Sequence, residues 1–414
     1  MIQYEEFELP NGLHFIVNID KTTPFVVVNT LYNVGSKDES PERTGFAHLF
    51  EHLMFGGSKH IPSFDTPLQK VGGENNAFTT TDITNYYITV PSQNLETAFW
   101  LESDRMLELD FSQKTLDVQR NVVCEEFKQR YLNRPYGDIT LLLRPLAYKV
   151  HPYQWPTIGK DLSHIEQANI KEVKDFFYSH YAPNNAKIAI SGNVSLRTVK
   201  QLAKKWFGPI PRRDVYARNL PQEPLQTERR TLTVERDVPA SAILKVFHMC
   251  GQLEKDFYTT DLISDILSNG NSSRLYQKLV QDQQLFSDIN AYISGEIDPG
   301  LFIVSGNLNP SVSMEAAEKA ITSELQKIRE GFVFDYELQK VKNKFESSTI
   351  FNEIDVLSKA RALAYYANLG DTNLVNTRLH NYSEVSLIDI KRVSDTLFAE
   401  TNDTTLYYMS TNNQ

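Results

Sequence analysis

Hydrophobic and polar positions along this chain follow two different periods. From Phe15 to Tyr32, β-branched and aromatic residues gather on either side of Pro24, the pattern of two adjacent sheet strands. Further on, Phe46, Leu49, Phe50, Leu53 and Met54 follow i, i+3, i+4, i+7 and i+8. That is the stripe of a helix pressed on a core, and Gly56-Gly57 supplies its stop. Helical spacing recurs at about 95–107, 116–131, 170–178, 195–207, 314–330 and 335–348. Residues 186–194 and 404–409 read as late strands, each preceded by a helix. Strands and helices in mixed order predict an α+β fold in which mixed sheets are covered by helices.

The pattern also repeats. Val17 to Asp20, Pro24, Val26 to Tyr32 and Gly35 have counterparts in Val234 to Asp237, Pro239, Ala242 to Phe247 and Gly251. Each copy continues into an amphipathic helix that ends at glycine, about 46–55 in the first and 258–267 in the second. Aligning Gly57 with Gly270 sets Asp261 opposite His48, Ser264 opposite Glu51 and Asp265 opposite His52. An internal duplication in which one copy keeps its polar residues explains the length. The expected division is an N-terminal domain, 1–215, and a homologous C-terminal domain without the imidazoles, 216–414. The linker, at about 208–227, is marked by Pro209, Pro211, Pro221 and Pro224.

Composition narrows the function. At 414 residues the chain exceeds one ordinary core, and 41% hydrophobic with 23% charged residues is globular. A net charge of −10 argues against a nucleic-acid partner, whose phosphates are met by Lys and Arg. No run of 18 apolar residues suggests a membrane span. Two cysteines, Cys124 and Cys250, give no disulfide framework. Met1 to Glu6 lacks the basic and apolar regions of a signal peptide, so a cytoplasmic location is the expectation.

The chemistry concentrates at His48-Leu49-Phe50-Glu51-His52. Imidazoles at i and i+4 project to one side of a helix. Glu51 lies between them, where it can take a proton from water beside a bound metal. The polar trio falls beside the apolar stripe, not within it. The order His-x-x-Glu-His is itself a hydrolytic zinc signature. Catalytic zinc takes three protein ligands, so a third is needed. Glu125 and Glu126 lie on a helix whose buried side carries Leu116, Val123 and Phe127, and spacing alone does not choose between them.

Together with Arg120-Asn121-Val122-Val123-x-Glu125-Glu126, this motif resembles the pitrilysin family of zinc peptidases, the inverzincins, in the two-domain, mitochondrial-processing-peptidase-like form. The match continues through Gly72 to Thr79, Thr84 to Tyr87, Tyr181 to Ala186 and Ser273 to Tyr276, so it covers essentially the whole chain. The resemblance implies a metalloendopeptidase with one Zn2+ per chain, held by His48, His52 and Glu126, and with Glu51 as general base. It assigns Asn75, Asn76, Ala77, Phe78 and Thr79 to a sheet edge where an extended peptide adds by main-chain hydrogen bonds. It also implies two α/β-sandwich domains forming half of a clamshell.

This chain departs from the family at two places. Seven residues before Glu126 the family often has another Glu; here Gln119 stands in that position beside the ligands and carries no charge. In the second half, self-sufficient members carry an Arg and, seven residues later, a Tyr that hold the substrate carbonyl. The matching residues here are Val280 and Ser287. Arg274 and Tyr276 precede those positions and read as structural. The missing pair implies a heterodimer with a related subunit that supplies it; a homodimer is the alternative. A non-catalytic or weakly active peptide-binding subunit is the competing function.

Overall fold

The computed structural model describes residues 1–412. Its strands are β1 (Glu5–Glu8), β2 (His14–Ile19), β3 (Phe25–Tyr32), β4 (Glu74–Thr79), β5 (Thr84–Pro91), β6 (Ala186–Gly192), β7 (Arg230–Arg236), β8 (Ala242–His248), β9 (Phe286–Ile293), β10 (Leu301–Leu308) and β11 (Asp403–Ser410). The early helices are α1 (Phe46–Leu53), α2 (Asp65–Lys70), α3 (Leu95–Leu107), α4 (Gln113–Phe127), α5 (Ile139–Ala147), α6 (Leu162–Glu166), α7 (Ile170–His180) and α8 (Leu196–Trp206). The later ones are α9 (Asp256–Ser268), α10 (Met314–Arg329), α11 (Asp335–Asn352), α12 (Val356–Asn368), α13 (Leu374–Ser383) and α14 (Leu387–Leu397). Among the described residues, no helix is long and apolar enough to cross a membrane.

The chain forms two compact units, each an α/β sandwich. In the first, a six-stranded sheet runs β1-β2-β6-β3-β5-β4, with β4 at one edge. β2 and β6 are parallel, and the other pairs are antiparallel. Both faces are covered, which is why β3 reads as a nearly continuous apolar run. On one face Ile16, Val27, Leu31 and Ala189 meet Ala360, Leu363, Ala364 and Ala367 of α12. The small alanines let that helix lie close to the sheet. On the other face Phe15 stacks with Phe99 and meets Phe207 edge-on, while Phe50 of α1 stacks on Tyr181.

The second unit repeats the plan. Its sheet runs β7-β11-β8-β10-β9, again with a single parallel pair, β7 and β11. Strand for strand this matches β2-β6-β3-β5-β4, and α9 occupies the place of α1 in the chain order. Leu262, Ile263 and Ile266 of α9 join Phe302, Ile321 and Ile390 in its larger core. On the opposite face Leu143 and Ala147 of α5 pack on Leu244, Val246 and Leu406.

A single cut near the linker does not reproduce these units. Residues 208–227 carry almost no regular element, and the chain does pass from one unit to the other at Pro221. Residues 133–154, however, belong to the second unit, and residues 350–377 to the first. The boundary expected from sequence is corrected accordingly: each half lends one helix, α5 or α12, to the other half's sheet. A helical period shows that a face is apolar, not which sheet receives it.

Candidate metal centre

Helix α1 has no side-chain cap at its own N-terminus. Gly45 precedes it with φ +91°, and a Cβ there would sit 2.5 Å from the Ile158 carbonyl oxygen, so only glycine fits. The buried Glu39 carboxylate reaches in from the preceding loop and accepts from Gly45 N–H and Ala47 N–H, both at 2.8 Å. It thereby satisfies donors that a helix start leaves open. Burial pushes the Glu39 carboxyl well above its ordinary value, and these two donors pull it back.

From that anchored start, α1 presents His48, Glu51 and His52 on one side. The two imidazoles stand 4.9 Å apart between centroids, with their planes at 82°. Helix α4, capped by Ser112 on Thr115 N–H, packs beside α1 and brings Glu126 to them. Glu126 Oε2 lies 3.7 Å from His48 Nε2 and 3.4 Å from His52 Nε2. Its other oxygen pairs with Arg130 at 3.0 Å. Glu125, one position earlier, turns outward to Lys128 at 2.8 Å.

This donor set fits a zinc-type ion. Ligand atoms in a tetrahedral site with bonds of about 2.0–2.1 Å lie roughly 3.3–3.4 Å apart, close to the two separations found here. Three ligand atoms from His48, His52 and Glu126 all fall within 4.8 Å of one another, the only such cluster among the described residues. Burial, foremost, brings His48 down to about 4, so its ring is the neutral imidazole that a metal requires. The hydrogen bond with His52 is the main cause holding the Glu126 carboxyl below its ordinary value. Among the described residues, His48 Nδ1 is buried without a hydrogen-bond partner.

Glu51 is half-buried beside the trio. Burial raises its carboxyl above the usual range, and the Thr79 hydroxyl, donating to Oε2 at 2.6 Å, opposes that rise. Thr79 closes β4, the edge strand. Along that strand Asn75 donates to Asp65 at 2.8 Å, and Asn76 Oδ1 accepts from Ala77 N–H at 2.8 Å. Phe78 points the other way from Thr79, packing with the α12 core beneath the Arg361 guanidinium at 4.8 Å. Gln119 shares a side of α4 with Glu126 but lies near Gly56, and among the described residues it makes no hydrogen bond to either imidazole.

In the second unit, Val280 packs against the core and Ser287 lies exposed on β9, its hydroxyl 3.3 Å from Asp288 and from the Asn307 carbonyl. Arg274 makes a two-point contact with Glu337, and Tyr276 accepts from Gln281. Both are structural contacts. At the places matching the zinc motif, Asp261 accepts from Tyr382, Ser264 donates to the Asp261 carbonyl, and Asp265 accepts from Asn269.

Sequence reasoning missed Glu39 and the grip of Thr79 on Glu51. Arg130 was readable, since i and i+4 is ion-pair spacing on a helix. Glu39 carries no such signal, being one acid in a polar loop.

Comparison with known proteins points the same way. A family model described as "Insulinase (Peptidase family M16)" matches residues 15–154, and one described as "Peptidase M16 inactive domain" matches residues 167–345. The chain is 30% identical over 411 residues to the zinc protease PqqE of Helicobacter pylori, spanning 98% of this chain and 92% of that protein. The crystal structure of a protease from Helicobacter pylori superposes with a TM-score of 0.92 at 29% identity, covering 99% of this chain and 100% of that one. The crystal structure of pitrilysin superposes at 0.76 with 20% identity, a likeness of fold; 99% of this chain corresponds to 45% of that chain.

Proposed function

The chain belongs to the M16, or pitrilysin, family of peptidases, and from this we propose that it is a zinc-dependent endopeptidase acting on peptides or unfolded polypeptide segments inside an enclosed chamber. The observation that carries the reading is the convergence of His48, His52 and Glu126 from two helices, with Glu51 beside them. His48, His52 and Glu126 would hold the zinc. When bound, that ion would supply Lewis acidity toward the scissile carbonyl and toward water. Glu51 accepts the proton of the attacking water and passes it to the leaving amine. The free edge of β4 binds the peptide backbone, which gives breadth of sequence with side-chain pockets grading preference.

Neither Val280 nor Ser287 can hold the reacting carbonyl as an Arg and Tyr pair would. A related subunit supplying those donors is therefore part of the proposal, and the match to less than half of pitrilysin's length supports a pairing of two such chains. Glu51→Gln tests the site: the variant keeps wild-type zinc content and loses peptide cleavage, measured on the chain alone and on its mixture with a related subunit. Full activity in that variant removes Glu51 as the base. Strong cleavage by the isolated wild-type chain removes the need for a partner.

A further inference from the structure

We propose that Thr79 is a positioning residue for Glu51: its hydroxyl fixes the carboxylate so that the substrate-binding edge strand and the proton acceptor are set by one rigid element. This rests on the role of Glu51 proposed above and goes beyond it. The contact is direct, Thr79 Oγ1 donating to Glu51 Oε2 at 2.6 Å. An ionised carboxylate only accepts, so the hydroxyl is the donor. Among the described residues Glu51 Oε1 has no hydrogen bond. One oxygen is therefore held and the other is left for a proton.

Thr79 can serve as a fixed donor because of where the fold holds it. It is the last residue of β4, paired with Thr84 across the hairpin to β5. The turn beyond it is closed by Thr80 N–H on the Ile83 carbonyl at 2.8 Å, and by Thr80 Oγ1 accepting from Ile83 N–H at 3.0 Å. Backbone N–H groups of Ser36 and Lys37 bond to the Thr80 and Thr81 carbonyls at 3.2 and 2.9 Å. A buried Lys37–Asp82 ion pair at 2.7 Å ties the same loop to the hairpin. The backbone under Thr79 is thus clamped from two sides, whereas a Glu on a helix surface otherwise samples several rotamers. A charge-assisted hydrogen bond from a rigid donor removes that freedom before the reaction starts.

The test compares Thr79→Val, which replaces the hydroxyl by a methyl at nearly equal volume, with Thr79→Ser, which keeps the donor. Thr79→Ala serves as a second variant without the donor should valine not be accommodated. Crystals of the metal-free proteins give a readout independent of turnover. The Glu51 carboxylate leaves its wild-type rotamer in the valine or alanine variant and keeps it in the serine variant. Peptide cleavage by the zinc-loaded protein, with its partner subunit where one is required, falls roughly 10–100-fold in kcat for Thr79→Val. KM and zinc content stay at wild-type values, and Thr79→Ser recovers most of the rate. An unmoved Glu51 in the donorless variants overturns the proposal. So does a loss confined to KM, or a serine variant as impaired as valine. Absence of turnover in the wild type would instead count against the peptidase reading, while the rotamer comparison still decides the role of Thr79.

Discussion

Replacing Glu39 should loosen the helix that carries the whole His-x-x-Glu-His motif, although Glu39 touches none of its side chains. In Glu39→Ala the amides of Gly45 and Ala47 lose acceptors at 2.8 Å in a buried place. Leaving a buried donor unsatisfied costs about 1–3 kcal/mol, so two lost bonds cost about 2–6 kcal/mol. The carboxylate itself is there at a cost, because burial pushes its ionisation up. Removing it recovers part of that penalty and brings the net loss to about 2–4 kcal/mol. Glu39→Gln keeps one acceptor, discards the charge and should lose about half as much. Hydrogen exchange of the segment 40–53 reads this directly. At tenfold per 1.4 kcal/mol, Glu39→Ala speeds exchange of the α1 start by about 30- to 700-fold, with Glu39→Gln between it and wild type. Zinc affinity falls in the same order, since a frayed α1 no longer points both imidazoles one way. Wild-type protection across this segment in Glu39→Ala would show that the loop carboxylate does not hold the helix.

Two further outcomes follow from ion pairs away from the site. The hydrogen bond from Lys359 on α12, foremost, depresses the Asp20 carboxyl to about 2. A folded value below the unfolded one of about 3.9 means that its stabilisation is complete above roughly pH 4 and disappears as pH falls toward 2. With discount for solvent it amounts to about 1 kcal/mol. The stability gap between wild type and Asp20→Asn, followed by urea unfolding, therefore closes across that window; a gap independent of pH counts against it. Arg105 is 1% exposed, paired with Glu102, and its guanidinium lies 4.6 and 4.3 Å from the Phe64 and Tyr86 rings. Arg105→Met strands a buried carboxylate and costs about 3–5 kcal/mol, while adding Glu102→Leu restores most of it. A single variant as stable as wild type in denaturant would refute that account.

What the sequence conveys about this fold depends on the range over which each signal acts. The helix of the His-x-x-Glu-His motif was legible because its two imidazoles and its apolar stripe obey one local period, and α1 spans Phe46–Leu53 inside the expected 46–55. Helices α3 and α10 and strands β6 and β11 were legible for the same reason. The duplication was legible at long range only because it repeats a local pattern, and the matching strand orders of the two sheets bear it out. The selection of Glu126 over Glu125 was not, since adjacent helix positions differ by about 100° and only the packing of α4 on α1 decides which faces the imidazoles. The exchange of α5 and α12 escaped for a related reason. Ala360, Leu363, Ala364 and Ala367 announce an apolar face, but nothing in their spacing says that Ile16, Val27 and Leu31, more than three hundred positions away, will cover it. Glu39 and Thr79 lie furthest from sequence reach. Glu39 acts through two hydrogen bonds and Thr79 through one, each to residues outside its own element, and such bonds leave no period to read.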